Sequence, residues 1–150
     1  MRIWLPIVIA ASACTSSQPT KDDASRLFLA TTTAVNAAEQ KAVTSTQALN
    51  APAVRNLDYI GPCESEGSFE VKGTADDTAL TYDLQTSFTN CVSAAHIALD
   101  GSLHFSPSAL TGSIAFSDQT TSATCEMNLS FSGTAVSGTV CGYDVRDLGH

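Results

Sequence analysis

Basic side chains are scarce in this chain. Its 150 residues hold seven Lys and Arg against fifteen Asp and Glu, a formal net charge of -8. Binding to nucleic acid needs clustered cations that neutralise phosphates, and the sequence has no such cluster. Past the N-terminal apolar run, no stretch approaches the roughly 20 apolar residues that a membrane-crossing helix requires. No cysteine pair is spaced C-x-x-C and no histidine stands at ligand spacing from a cysteine, which argues against a zinc site or a thioredoxin-type redox pair. The G-x-S-x-G elbow, the P-loop, the dinucleotide fingerprint and H-E-x-x-H are all missing. Of the three histidines, His96 and His104 fall on one face of an expected strand with Asp100 between them. Eight residues of strand would hold their rings about 27 Å apart, too far to share a metal or a proton. His150 is the terminal residue. The expectation is a non-enzyme without metal or cofactor.

What the chain does have is an odd number of cysteines, five. It also has an N-terminal export signature: Arg2, an apolar run from Ile3 to Ala11, and then small residues. Ala11-Ser12-Ala13 fits a cleavage site of the A-x-A kind, and cleavage after Ala13 would leave Cys14 as the first residue. The segment Ala11-Ser12-Ala13-Cys14 resembles the lipobox of a bacterial lipoprotein precursor, in which the cysteine is diacylated and becomes the new N-terminus. The resemblance implies a signal peptide over residues 1–13, lipidation of Cys14 and a membrane anchor, with residues 14–21 as a polar tether. Thr15 in the position after the cysteine, where Asp often marks retention at the inner membrane, leans towards the outer membrane. The alternative is plain secretion, or a soluble periplasmic protein with Cys14 a free thiol.

Residues 22–150 read as one α+β domain. Thr20 and Asp23 have the spacing of a capping box, and no Gly or Pro interrupts the chain from there to Asn50, so a helix is expected over 22–50. Its apolar stripe is Leu27, Ala34, Ala38, Ala42 and Leu49, widened by Phe28, Val35 and Ala48, with Glu39, Gln40 and Gln47 mostly elsewhere. From Gly61 the period shifts from about 3.6 to 2. Alternating apolar and Ser/Thr positions, joined by short polar connections, predict an antiparallel meander of about six strands over 66–146, curved, with the helix on its apolar face. Asp100-Gly101 resembles a hairpin turn, yet the apolar phase is unbroken from Ile97 to Phe105, so one strand with a kink or bulge is expected there.

With Cys14 assigned to lipid, Cys63, Cys91, Cys125 and Cys141 remain, an even set suited to disulfides in an oxidising compartment. Three pairings are open. A hairpin about Gly133 would set Cys125 opposite Cys141 and leave Cys63 with Cys91. That arrangement would reverse the apolar phase of a final strand running from Val136 to Val145, putting Cys141, Tyr143 and Val145 inside.

Asp76-Asp77, with Glu64, Glu66 and Glu70 nearby in sequence, is a candidate acidic site, although Asp is common in turns for local reasons. Asn128-Leu129-Ser130 matches a glycosylation sequon but lies inside an expected strand. From Cys14 to Ile60 four bases balance four acids, whereas from Gly61 onward two bases face eleven acids. Such a segment favours solubility and could dock a basic protein partner.

Two functional expectations follow. The first is a non-catalytic, membrane-tethered exported lipoprotein serving as a structural or interaction module in the cell envelope. The second starts from an imbalance: the sheet offers large apolar residues and the helix answers mostly with Ala and Thr. A cavity between them would make the domain similar in layout to the half-barrel carriers of lipids or lipoproteins in bacterial envelopes, with a lipid or other apolar ligand as cargo.

Overall fold

The computed structural model describes residues 18–46, 53–93 and 96–148. One helix, α1 (Lys21–Thr46), packs against an eight-stranded antiparallel sheet. The strands are β1 (Val54–Pro62), β2 (Glu66–Asp76), β3 (Thr81–Val92), β4 (Ala98–Ser106), β5 (Ala109–Ser117), β6 (Ser122–Ser132), β7 (Ala135–Val140) and β8 (Tyr143–Asp144), followed by a single 3-10 turn over Val145–Asp147. Their spatial order is their sequence order, and β1 does not pair with β8, so the sheet is an open meander.

The start of α1 is fixed by a reciprocal cap. The Thr20 amide donates to Asp23 Oδ2 at 3.0 Å, and the Asp23 amide donates back to Thr20 Oγ1 at 3.2 Å. Asp thus performs the task usually given to Glu or Gln in this box. Threonines inside the helix satisfy their hydroxyls locally: Thr32 donates to the Phe28 carbonyl at 2.8 Å and Thr44 to the Gln40 carbonyl at 2.7 Å. Such back-bonding adds nothing to helix propensity, so α1 depends on its packed stripe of Ala24, Leu27, Thr31, Val35, Ala38 and Ala42, all buried. Leu49, Ala48 and the expected end at Asn50 lie outside the described residues, as do the signal segment and Cys14.

The helix crosses the strands rather than following them. Near its start, the Pro19 carbonyl accepts from the Tyr143 hydroxyl on β8 at 3.1 Å, and Arg26 reaches Asp118 in the β5–β6 turn at 2.7 Å. Near its other end, Lys41 donates to the Pro62 carbonyl on β1 at 3.3 Å. At 1.5 Å per residue, α1 is about 39 Å long, comparable to the width of eight strands spaced about 4.8 Å apart.

The meander has two more strands than expected, one at each end. β1 hides from pattern reading because its inward positions are Arg55, Leu57, Tyr59 and Gly61, while Val54 and Ile60 point outward and are 56% and 68% exposed. An inward charge on an edge strand discourages edge-to-edge pairing with other chains, and here it also masks the hydrophobic alternation. At the other end, the run from Val136 to Val145 is two strands. Cys141 and Gly142 have φ of 53° and 84°, the positive pair that a two-residue type I′ hairpin turn requires, and Val140 pairs with Tyr143 across it.

Three further expectations are corrected locally. Leu80, whose position in the apolar alternation matches Leu84 and Phe88 and predicts an inner strand residue, is a turn residue with φ 53° and is 80% exposed, and β3 starts only at Thr81. β4 does run unbroken through Asp100-Gly101, but the bulge lies on its neighbour. Between Phe88 and Cys91, β3 carries one residue more than β4 does, and the Asn90 amide there donates to Asp100 Oδ1 at 3.1 Å. Gly101 has φ 129°, and a Cβ there would collide with the Ser113 carbonyl oxygen on β5, so only glycine fits. Finally, Glu39 is not on an outward face of α1 but half-buried.

The inward rows form one core from Phe69 and Val71 through Phe88, Leu99, Leu103 and Ile114 to Met127, Leu129 and Val140, with Val145 and Leu148 of the C-terminal turn closing it beneath the start of α1.

Candidate functional site: an apolar cleft between helix and sheet

The two flanks of the buried stripe on α1 meet the sheet differently. Residues are spaced about 100° apart around a helix, so Phe28, Val35 and Glu39 fall on one flank and Ala30, Ala34, Ala37 and Lys41 on the other. The second flank borders a cleft of about 630 Å³. Its helix wall is Leu29, Ala30, Thr33, Ala34, Ala37 and Ala38, and its sheet wall is Phe69, Cys91, Val92 and Ile97 together with Cys63. Small side chains on one wall and a set-back sheet on the other leave the space. Leu29 stands 69% exposed at its edge.

The Cys63–Cys91 disulfide forms part of this wall, with a Cα separation of 5.5 Å. It ties the chain just past β1 to the bulged end of β3, across β2. Gly61, one turn of pleat earlier, leaves room for the rings of Tyr59 and Phe69, whose centroids are 5.8 Å apart. The second disulfide, Cys125–Cys141, has a Cα separation of 4.6 Å and lies away from the cleft. Direct opposition of the two cysteines on paired strands is overturned: the ladder pairs Met127 with Val140, and Cys141 is a turn residue swung inward by its positive φ. The apolar phase therefore stays with Val140, and Cys141 still reaches Cys125.

Three charged residues border the cleft: Arg26, Lys41 and Glu64. Arg26 is engaged with Asp118, whose carboxyl is held well below the usual carboxylate range by the amides of Thr120 and Thr121 and by Arg26 itself. Lys41 donates to the Pro62 carbonyl and lies 5.5 Å from the centroid of the Phe69 ring, within cation–π range. Neither of those groups carries a charge that would neutralise it.

On the other flank the contacts are tighter and more polar. Burial pushes the Glu39 carboxyl up to about 7, and its Oε1 has no hydrogen-bond partner. The Tyr82 hydroxyl is raised by burial and then by the charge of Glu39. Thr31 and Thr86 are buried with unpartnered hydroxyls. The Arg55 guanidinium on β1 is buried and bonded through Nη2 to Asp77 at 2.6 Å, while its Nε and Nη1 find no partner.

The residues singled out by sequence do not converge on a reactive centre. His96 precedes β4 with φ 58° rather than lying on it, and His104 pairs with Asp83 at 2.6 Å on the exposed face. Asp100 holds the β3 bulge, and Asp76 accepts from the amides of Thr78 and Ala79 to shape its turn. Asp77 serves Arg55, and Glu70 pairs with Lys72. Asn128 is exposed on β6. Cys14 and His150 lie outside the described residues. Among the described residues no group of three or more His, Cys, Asp or Glu could hold a metal, and no helix is long and apolar enough to cross a membrane. The two disulfides are compatible with an oxidising, exported setting. Comparison with protein-family models, curated proteins and solved structures finds no match to this chain.

The imbalance between large sheet residues and small helix residues was visible in the sequence. Its location was not, because Phe69, Cys91 and Ile97 are brought to one end of the sheet by strand register and by the bulge in β3.

Proposed function

We propose that this chain is an exported, non-catalytic module, tethered to the bacterial envelope through a lipidated Cys14, that holds an apolar ligand in the helix–sheet cleft. The observation that carries the ligand reading is the cleft itself. Its volume of about 630 Å³ falls inside the range of roughly 300–1,000 Å³ found for small-molecule sites, and its walls are apolar with a few charges at the rim. A tethered carrier fits this geometry better than a purely structural module, for which tight closure of alanines onto the sheet would be expected. An acidic docking face for a basic partner is less favoured, because Asp77, Asp83, Asp118, Asp144 and Glu70 are already paired with cations or His104 within the chain.

Two measurements test the two halves of the proposal separately. Gently purified protein should show bound apolar ligand by native mass spectrometry, and Ala37→Trp should displace it, since Ala37 is exposed and faces the cleft. No binding of any apolar probe to the wild-type chain would end the carrier reading. Cys14→Ser should abolish fatty-acid labelling and membrane association; unchanged labelling would end the tether reading.

A further inference from the structure

We infer that the cleft takes a single-chain fatty acid, with the carboxylate at Lys41 and the hydrocarbon chain running back along α1 towards Leu29 and Arg26. This rests on the cleft being a ligand site and adds the ligand's chemistry and direction. The helix wall runs from Arg26 to Lys41, a length of about 22 Å at 1.5 Å per residue. A lipid acyl chain spans half of a bilayer core of about 30 Å, so one chain fits lengthwise. The cleft's volume of about 630 Å³ is that of a small-molecule site.

Charge sets the direction. The sequence has few cations, and two of them border this one cleft. They are not equivalent. Arg26 is bound to the Asp118 carboxylate at 2.7 Å, which satisfies its charge. Lys41 is held by a neutral carbonyl oxygen at 3.3 Å and a ring face at 5.5 Å. An ammonium has three donors, and one hydrogen bond to Pro62 leaves others for an incoming carboxylate. Between the two ends the helix wall is mostly alanine, with Leu29 and Thr33 among the alanines and Phe69 and Ile97 on the sheet side. Arg26 is already neutralised, so the carboxylate belongs at the Lys41 end, at hydrogen-bond distance from the ammonium.

The experiment compares hexadecanoate with hexadecanol on the full folded domain, using wild type, Lys41→Gln and Ala37→Trp. Wild type should prefer the acid to the alcohol. Lys41→Gln should weaken the acid by about tenfold, the size of one charge-assisted hydrogen bond, while changing alcohol affinity by less than about twofold. Ala37→Trp should weaken both. Equal binding of acid and alcohol to wild type, or equal loss of both in Lys41→Gln, overturns the carboxylate assignment while leaving the cleft as an apolar site. Failure of both ligands to bind wild type overturns the cleft reading as well. Thermal unfolding of each variant separates these outcomes from simple misfolding, since Lys41 and Ala37 are both exposed.

Discussion

The two flanks of α1 face the same sheet and have opposite fates. On one flank, Phe28, Val35 and Glu39 close onto the sheet and half-bury a carboxyl, whose ionisation is thereby disfavoured. On the other, Ala30, Ala34 and Ala37 stop short of Phe69, Cys91 and Ile97 and leave a cleft. The helix mixes strong formers such as Ala and Leu with weak ones such as Thr, and propensity acts on the helix as a whole, so it does not decide which flank closes. Side-chain volume does: a helix resting on larger residues on one side and alanines on the other closes the first gap and leaves the second open.

The largest expected effect breaks the stripe between the flanks. Leu27 is fully buried beneath α1, and Leu27→Ala should cost about 2–5 kcal/mol by chemical denaturation. Leu29, two residues away on the open side, is 69% exposed. Leu29→Ala should change stability by less than about 0.5 kcal/mol and act only on binding of an apolar probe. Equal losses of stability would mean that the cleft is closed in solution.

The disulfides come next. Replacing either pair by alanines should cost about 2–4 kcal/mol, with the Cys63–Cys91 pair costing the more by about 0.5 kcal/mol because its loop is longer. The sequence separations are 28 and 16 residues. Only loss of Cys63–Cys91 should also weaken ligand binding, because only that bridge lines the cleft. If loss of Cys125–Cys141 weakened binding equally, the cleft would depend on the whole sheet rather than on one end of it.

Thr20→Ala removes one partner of the reciprocal cap and should cost about 1 kcal/mol, with helix fraying visible by hydrogen exchange at the start of α1.

The closed flank should also show in a pH profile. The folded pKa of Glu39 is raised from 4.5 to about 7. Below 4.5 the carboxyl is protonated in both folded and unfolded chains. Between 4.5 and about 7 the folded chain holds the proton and the unfolded chain does not, so stability falls as pH rises through that window and is level above it. Glu39→Gln should remove this dependence and raise the melting temperature at about pH 8 by a few degrees, on the order of 1 kcal/mol. A wild-type profile that is flat across the window would show that the flank is hydrated.

Legibility differed by element for physical reasons. The start of α1 could be read because a cap is a contact between residues three apart. The central strands could be read because their inner faces are continuous: Ala123, Cys125, Met127 and Leu129 alternate with exposed Thr124, Glu126 and Asn128. β1 escaped because Arg55 occupies an inner position and is neutralised by Asp77, 22 residues away. The last hairpin escaped because a cysteine stands where a type I′ turn usually has Asn or Asp, held there by a bond to another strand. Of the cleft, only the alanine wall was local information.

The sequence by itself determined the helix, the antiparallel alternation and the small-against-large mismatch between them, since each is set by periodicity or by contacts a few residues apart. Tertiary structure alone decided which flank of the helix closes, which end of the sheet bears the cleft, and that Arg26 is neutralised by Asp118 while Lys41 meets a carbonyl and a ring. Those outcomes depend on register, on one bulge and on the angle at which a helix crosses eight strands, and no local pattern encodes an angle.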